Sequence, residues 1–330
     1  MGELLDAAKV MVQPTIKLLD MIQSGVGTLY NPINMKRTAD AKVYEIEKIG
    51  QALRDNSDIP IGYSNGAITM DTQDFREFVE RTQSRLAYQE MTKQANIEKV
   101  SGRAYQLLEG EEDVENNPVE QDWTMRFFNC VEDVSNEKMQ EIWSKILAGE
   151  VKKPGSFSMR TLETLKNISQ KEAEVFQKVF PFIMSYGGEC FISSDDDLLN
   201  QFDIFFADLM ILGECGLVNT SLSNNPKVSK SENSFMYSDK VIVHFWGYTQ
   251  EEKEISIGVH LLTRAGKELY SILEHTGNKE YAVKWAEKIF NQNKNSVKVL
   301  VHNILNINKN TINHEEKPFA IFSKDIEVIQ

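Results

Sequence analysis

The sequence predicts a mainly α protein with a smaller α+β C-terminal part, and three observations carry that reading. Apolar residues recur at helical spacing through most of the chain; capping and breaker signals punctuate that repeat; and only in the final third do apolar and polar residues alternate at period two. The architecture expected is N-terminal helices, a central helical core and a winged-helix-like C-terminal half. Five segments follow: an apolar helical opening at 1–32, long charged helices at 33–117 with a loop at 55–71, the central core at 118–186, the winged-helix-like part at 187–290 and a β-rich tail at 291–330.

In the opening, Leu4, Leu5, Ala8, Val12, Ile16, Leu19 and Ile22 keep helical spacing, with Pro14 expected to interrupt or kink the helix. A charged helix follows from Ile33 to about Leu53, then a turn-rich connector with Pro60, Gly62 and Gly66. The longest helical signal runs from Phe75 to Leu108, its polar face mixing Arg and Lys with Glu as solvated helices do. The acidic stretch Gly110–Asn117 reads as a linker.

The central core is the most densely specified part. Trp123, Phe127 and Phe128 share one helical face; Ser135 is the expected cap of a helix that buries Trp143 and Leu147 and stops at Gly149. Lys152, Lys153, Pro154, Gly155 and Ser156 force a turn, after which Ser156 or Ser158 caps the next helix. Lys152, Lys153, Ser156, Ser158 and Arg160 together form a candidate anion site, because a helix N-terminus with nearby cations and hydroxyls attracts phosphate or carboxylate. The structural alternative pairs Arg160 with Glu150 or Asp122. Ser169 and Glu172 make a capping box.

Ser193-Ser194-Asp195 is expected to cap one helix from Leu198 to Leu212, which Gly213 and Gly216 end. Lys240–Tyr248 and Glu254–Leu262 are β-rich and read as a hairpin, the wing of a winged helix, with Ser221–Ser234 a polar insertion before it. One helix over Tyr281–Phe290 precedes the alternating tail.

The stretch DWTMRFF, the block MQEIWSKILAGEVKKPGSFSMRTLETLKNIS and Leu262–Leu269 of the form L-T-x-A-G-x-E-L resemble a bacterial family known only as a domain of unknown function, over about 20–290. Its N-terminal element G-x-G-x-x-Y-x-P corresponds to Gly25–Pro32. The resemblance assigns no catalytic residue. More loosely, a helical region followed by an L-T-x-x-G segment is similar to the abortive-infection alpha proteins, which implies phage defence or stress response.

Charge and motifs narrow the function. A net charge of −13, from 36 basic and 49 acidic residues, disfavours nucleic acid as partner. The apolar opening carries too few cations to favour membrane contact by residues 1–30, and no run is long enough to span one. Cys130, Cys190 and Cys215 are far apart and read as buried thiols in a reducing compartment, so the cytoplasm is the expected location. No catalytic residue, no cofactor and no metal site is expected: phosphate-loop, nucleophile-elbow and zinc-helix motifs are absent. His244 and His260 would sit close if the expected hairpin paired in register, but no Cys or carboxylate completes a ligand set, so both read as ordinary histidines. The expectation is a non-enzymatic interaction protein with a protein partner, self-associating through its N-terminal helices.

Overall fold

A computed structural model describes residues 2–26, 72–112, 114–273, 276–308 and 311–324. The helix expected over 33–53, the loop at 55–71, most of the Gly25–Pro32 element and His275 lie outside them. The chain forms two compact units, Met1–Met159 and Arg160–Gln330. The boundary thus falls inside the stretch read as one central core.

Among its described residues the first unit is helical: α1 (Gly2–Val26), α2 (Thr72–Leu108), α3 (Gln121–Val131) and α4 (Glu137–Lys152). α1 continues through Pro14 instead of breaking there. Leu18, Met21 and Ile22 bury its C-terminal half, and Lys17 Nζ donates to the carbonyls of Glu115 and Val151, each at 2.9 Å. Burial there holds the Lys17 ammonium below its ordinary pKa, against the pull of Glu115 and Glu150.

The expected core residues are buried together: Trp123, Phe127, Phe128, Trp143 and Leu147 are each at most 3 % exposed. Phe127 is the hub. Its ring stacks on Trp123 at 5.1 Å and meets Phe128 and Trp143 edge-on at 5.3 and 5.5 Å, the offset and T-shaped geometries that aromatic quadrupoles favour. The cap of α4 is Asn136, not Ser135: its side-chain oxygen accepts from Lys138 N and Met139 N. Ser135 instead accepts from the buried Asn96 amide.

At the end of α4 the chain must turn sharply, and Gly155 does so with φ +85°. A Cβ on Gly149 would lie 2.7 Å from the Phe157 ring, so the glycine that ends the apolar block is where that ring seats. Phe157 is buried, and its carbonyl accepts from Trp123 Nε1 at 2.7 Å.

The second unit is built on an antiparallel sheet. Helices α5 (Met159–Asn167) and α6 (Gln170–Val179) lead into it, α6 starting at the expected Ser169–Glu172 capping box. Then come β1 (Met184–Tyr186), β2 (Glu189–Ser193), α7 (Asp196–Asn200), α8 (Phe206–Glu214), β3 (Val218–Asn224), β4 (Lys227–Val228), β5 (Asn233–Tyr237), β6 (Val241–Gly247), β7 (Lys253–Glu254) and β8 (Ile257–Leu262). The chain ends with α9 (Arg264–Tyr270), α10 (Lys279–Gln292), β9 (Val297–Asn308), β10 (Thr311–His314) and β11 (Ala320–Phe322).

The sheet order is β10-β9-β6-β5-β1-β2-β8-β3, with β11 also pairing with β9 and β4–β7 a separate ribbon. The expected wing does not form. β6 pairs with β5 and β9, whereas β8 pairs with β2 and β3, so three strands lie between the two halves of the supposed hairpin. The region read as a polar insertion supplies β3, β4 and β5. The expected Leu198–Leu212 helix is also two: Asp195 caps α7, and the chain turns at Asp203, φ 60°, before α8. The β-rich tail is no appendage, because β9 pairs along the whole of β6.

Alternation explains the layering of the sheet. Val241, Val243 and Phe245 of β6 and Val297, Val299 and Val301 of β9 are buried. α10 packs against both strands and buries Tyr281, Ala282, Trp285, Ala286 and Ile289. The alternate positions, Ile242 and His244 of β6 and Leu300 and His302 of β9, occupy the other face. Among the described residues no helix is long and apolar enough to cross a membrane.

Candidate metal centre

The turn that carries the anion-site residues read from the sequence holds a carboxylate of the protein's own. Gly155 N donates to Glu150 Oε1 at 2.6 Å and Phe157 N to Oε2 at 3.0 Å, with Glu150 only 2 % exposed. Ser156 Oγ donates to Lys153 O, and Lys152 pairs with Glu111 at 2.6 Å. Lys153 and Arg160 are exposed, and Ser158 is half-buried. The turn does hold a carboxylate, but it is that of Glu150, seven or fewer residues away in the same chain.

His244 and His260 are not brought together. His260 lies on β8 opposite Ile192 of β2. What the fold assembles instead is His244, His302 and His314, with one ring nitrogen from each within 4.8 Å of the others. The expectation of no metal site rested on the absence of a local ligand spacing; these ligands come from strands β6, β9 and β10, far apart in sequence.

Strand register places each ring. β6 and β9 pair so that Ile242 lies opposite His302 and His244 opposite Leu300, which makes the two histidines diagonal neighbours on one face. β10 then pairs back on β9, Asn313 with Asn306 but His314 with Ile304, so Leu305 is an extra residue in β9. Without that bulge His314 would pair with Leu305 and point to the other face; with it, His314 shares the face of Ile304 and His302. The ring centroids are 5.4 Å apart for His244–His302, 5.0 Å for His244–His314 and 4.7 Å for His302–His314.

Hydrogen bonds occupy one nitrogen of each ring. Glu315 O lies 2.8 Å from Nδ1 of His302 and 2.9 Å from Nδ1 of His314. A carbonyl only accepts, so both rings carry a proton on Nδ1, and Nε2 is the nitrogen left to bind a metal. The Asn233 side-chain amide is 2.8 Å from Nδ1 of His244, and His244 Nε2 is buried with no hydrogen-bond partner. Half a turn of that amide presents its oxygen to Nδ1–H and leaves His244 Nε2 a lone pair as well.

Burial disfavours the charged form of two of the rings. Burial, reinforced by His314 and His302, pushes His244 down to about 4. Burial likewise lowers His302, opposed by its bond to Glu315. Three imidazoles, each with Nδ1 hydrogen-bonded to a backbone or amide group and Nε2 left for coordination, are a donor set that Zn²⁺ and its neighbours take. Tetrahedral coordination at about 2.0–2.1 Å would draw the nitrogens to roughly 3.3 Å from one another, a closure of side chains rather than strands.

Two of the three rings, His244 and His314, line a cavity of about 680 Å³ together with residues of β5, β6, the β9–β10 arm and the Gly187–Gly188 turn. Fold and site together define a two-unit protein, helical in its first part, whose second part displays a histidine trio of metal-ligand type on an antiparallel sheet. The chain belongs to the family described as protein of unknown function, DUF2806, whose model matches residues 80–285, more than half its length. No curated protein and no solved structure matches it. His244 lies within the matched residues and His302 and His314 beyond them.

The residues that carried the family resemblance have structural work to do in this chain. Glu150 and Gly149 hold the Pro-Gly turn, as above. In the second block, Thr263 caps α9, and a Cβ on Gly266 would sit 2.2 Å from Leu217 O. Glu268 accepts from Thr161 Oγ1 at 2.5 Å and from Arg264 Nε at 2.7 Å. The cysteines take no part: none is in a disulfide, and burial pushes Cys215 up to about 11 and raises Cys190.

Proposed function

We propose that the second unit binds one divalent transition metal through His244, His302 and His314, and that this metal is the basis of its function. The observation that carries the reading is the convergence of three ring nitrogens, one from each histidine, within 4.8 Å, in a cluster where a single carbonyl occupies Nδ1 of two of the rings. A chance cluster of core histidines would satisfy its buried nitrogens; His244 Nε2 has no hydrogen-bond partner. Calorimetric titration of the metal-stripped full chain with Zn²⁺ is expected to give one site per chain, lost in His302→Ala. Binding of equal strength in the triple alanine variant of the three histidines would sink the proposal.

A second reading is self-association through α1. Ile16 and Leu19 are 48 % and 43 % exposed on a helix that buries Leu18, Met21 and Ile22. A second copy covering that stripe would explain it. Light scattering of the full chain against Leu19→Glu decides: a monomer in both removes the idea.

A further inference from the structure

The cavity in front of the trio has an unusual balance of charge. Among the described residues its walls are Phe235 and Tyr237 of β5, Ile242 of β6 and Ile307, Asn308, Thr311 and Ile312 of the β9–β10 arm, with the Gly187–Gly188 turn beside them. The aromatic and aliphatic side chains share a face by register: Phe235 lies opposite His244, Tyr237 opposite Ile242, and Ile312 opposite Ile307. No Asp, Glu, Lys or Arg lines the cavity among the described residues.

Three neutral imidazoles leave the charge of a bound dication uncompensated. A single strong positive centre beside an uncharged trough attracts an anion, and the walls give a cation no carboxylate to pair with. The volume, about 680 Å³, is that of a pocket for a small organic molecule rather than for a lone ion.

Resting on the metal site proposed above, we infer that the cavity takes a small carboxylate with an apolar body. The carboxylate occupies the coordination position that the histidines leave open, and the body lies along Phe235, Ile242 and Ile312. Affinity then grows with chain length, by roughly three- to fourfold for each methylene buried.

The test uses the full chain loaded with Co²⁺, whose visible absorption reports its ligands. Acetate, butanoate and hexanoate are titrated in turn, with hexylammonium as the cationic control. The expected result is a cobalt band that each carboxylate shifts, hexanoate at the lowest concentration, and that hexylammonium leaves in place. Ile312→Asp is expected to keep the band of the unliganded protein and to abolish the preference for hexanoate over acetate. A band that hexanoate moves no more readily than acetate overturns the carboxylate proposal and leaves the metal site standing. Absence of any cobalt band in the unaltered chain overturns both.

Discussion

Glu150→Ala tests whether the Pro-Gly turn is held by the protein's own carboxylate. The side chain is 2 % exposed and accepts from Gly155 N at 2.6 Å and Phe157 N at 3.0 Å. Hydrogen bonds to a charged acceptor are each worth about 1.5–3 kcal/mol, and truncation leaves two N–H groups without partner, so the turn loses roughly 3–5 kcal/mol of local stability. The loss stays local because Phe157 also seats against Gly149 and accepts from Trp123. Hydrogen exchange by mass spectrometry on peptides covering 150–157 is the assay: protection should fall by about a hundredfold or more. Glu150→Gln keeps one oxygen as acceptor and should lose about half of that free energy. Unchanged protection in Glu150→Ala would refute the argument and return the turn to the list of open anion sites.

Three further outcomes follow from the geometry. Asn233→Leu removes the group that orients His244 and should weaken Zn²⁺ binding by about 10- to 100-fold in calorimetry, the range for lost outer-shell partners; undiminished binding would show that the amide does not set the ring. Gly266→Ala forces a methyl group against Leu217 O, which is backbone and cannot yield, so its urea midpoint should fall well below that of the unaltered chain. His260 is lowered by burial, with Asp196 opposing. The unfolded chain therefore takes up the proton first as pH falls through about 6.5. Stability present above that pH is lost below it, and His260→Gln should flatten the fall in urea midpoint between about pH 7 and 5.

The helical half was legible because its signals are local. Trp123, Phe127, Phe128, Trp143 and Leu147 could be placed in a core from spacing alone, and the Ser169–Glu172 box is present as read. A missing cap shows the usual error of one residue: Asn136 competes with its neighbour Ser135, and only geometry decides. The sheet was legible in content and not in pairing. Period two marks Lys240–Tyr248 as a strand, but nothing in it says that its partner starts at Val297 rather than after the next turn. The shorter loop closure made the hairpin the natural reading, and the longer connection through β8, α9 and α10 won because it completes a sheet face that α10 buries.

That same pairing decides the site. His244 and His302 each stand out of phase with a buried row, Val241-Val243-Phe245 in one strand and Val297-Val299-Val301 in the other. A histidine at such a position is a signal, since it shows which residues share the face opposite the core, though not which strands are neighbours. His314 was beyond reach of pattern, because its face depends on the bulge at Leu305. The matched family residues supply β5, β6 and His244 together with Asn233, while β9, which docks beside β6, brings His302, and β10 behind it brings His314 and the carbonyl of Glu315 that both rings meet. A metal in this centre would therefore tie the residues beyond 285 to the sheet that precedes them. Its removal should loosen the β9–β10 arm before it disturbs the buried valines on the opposite face.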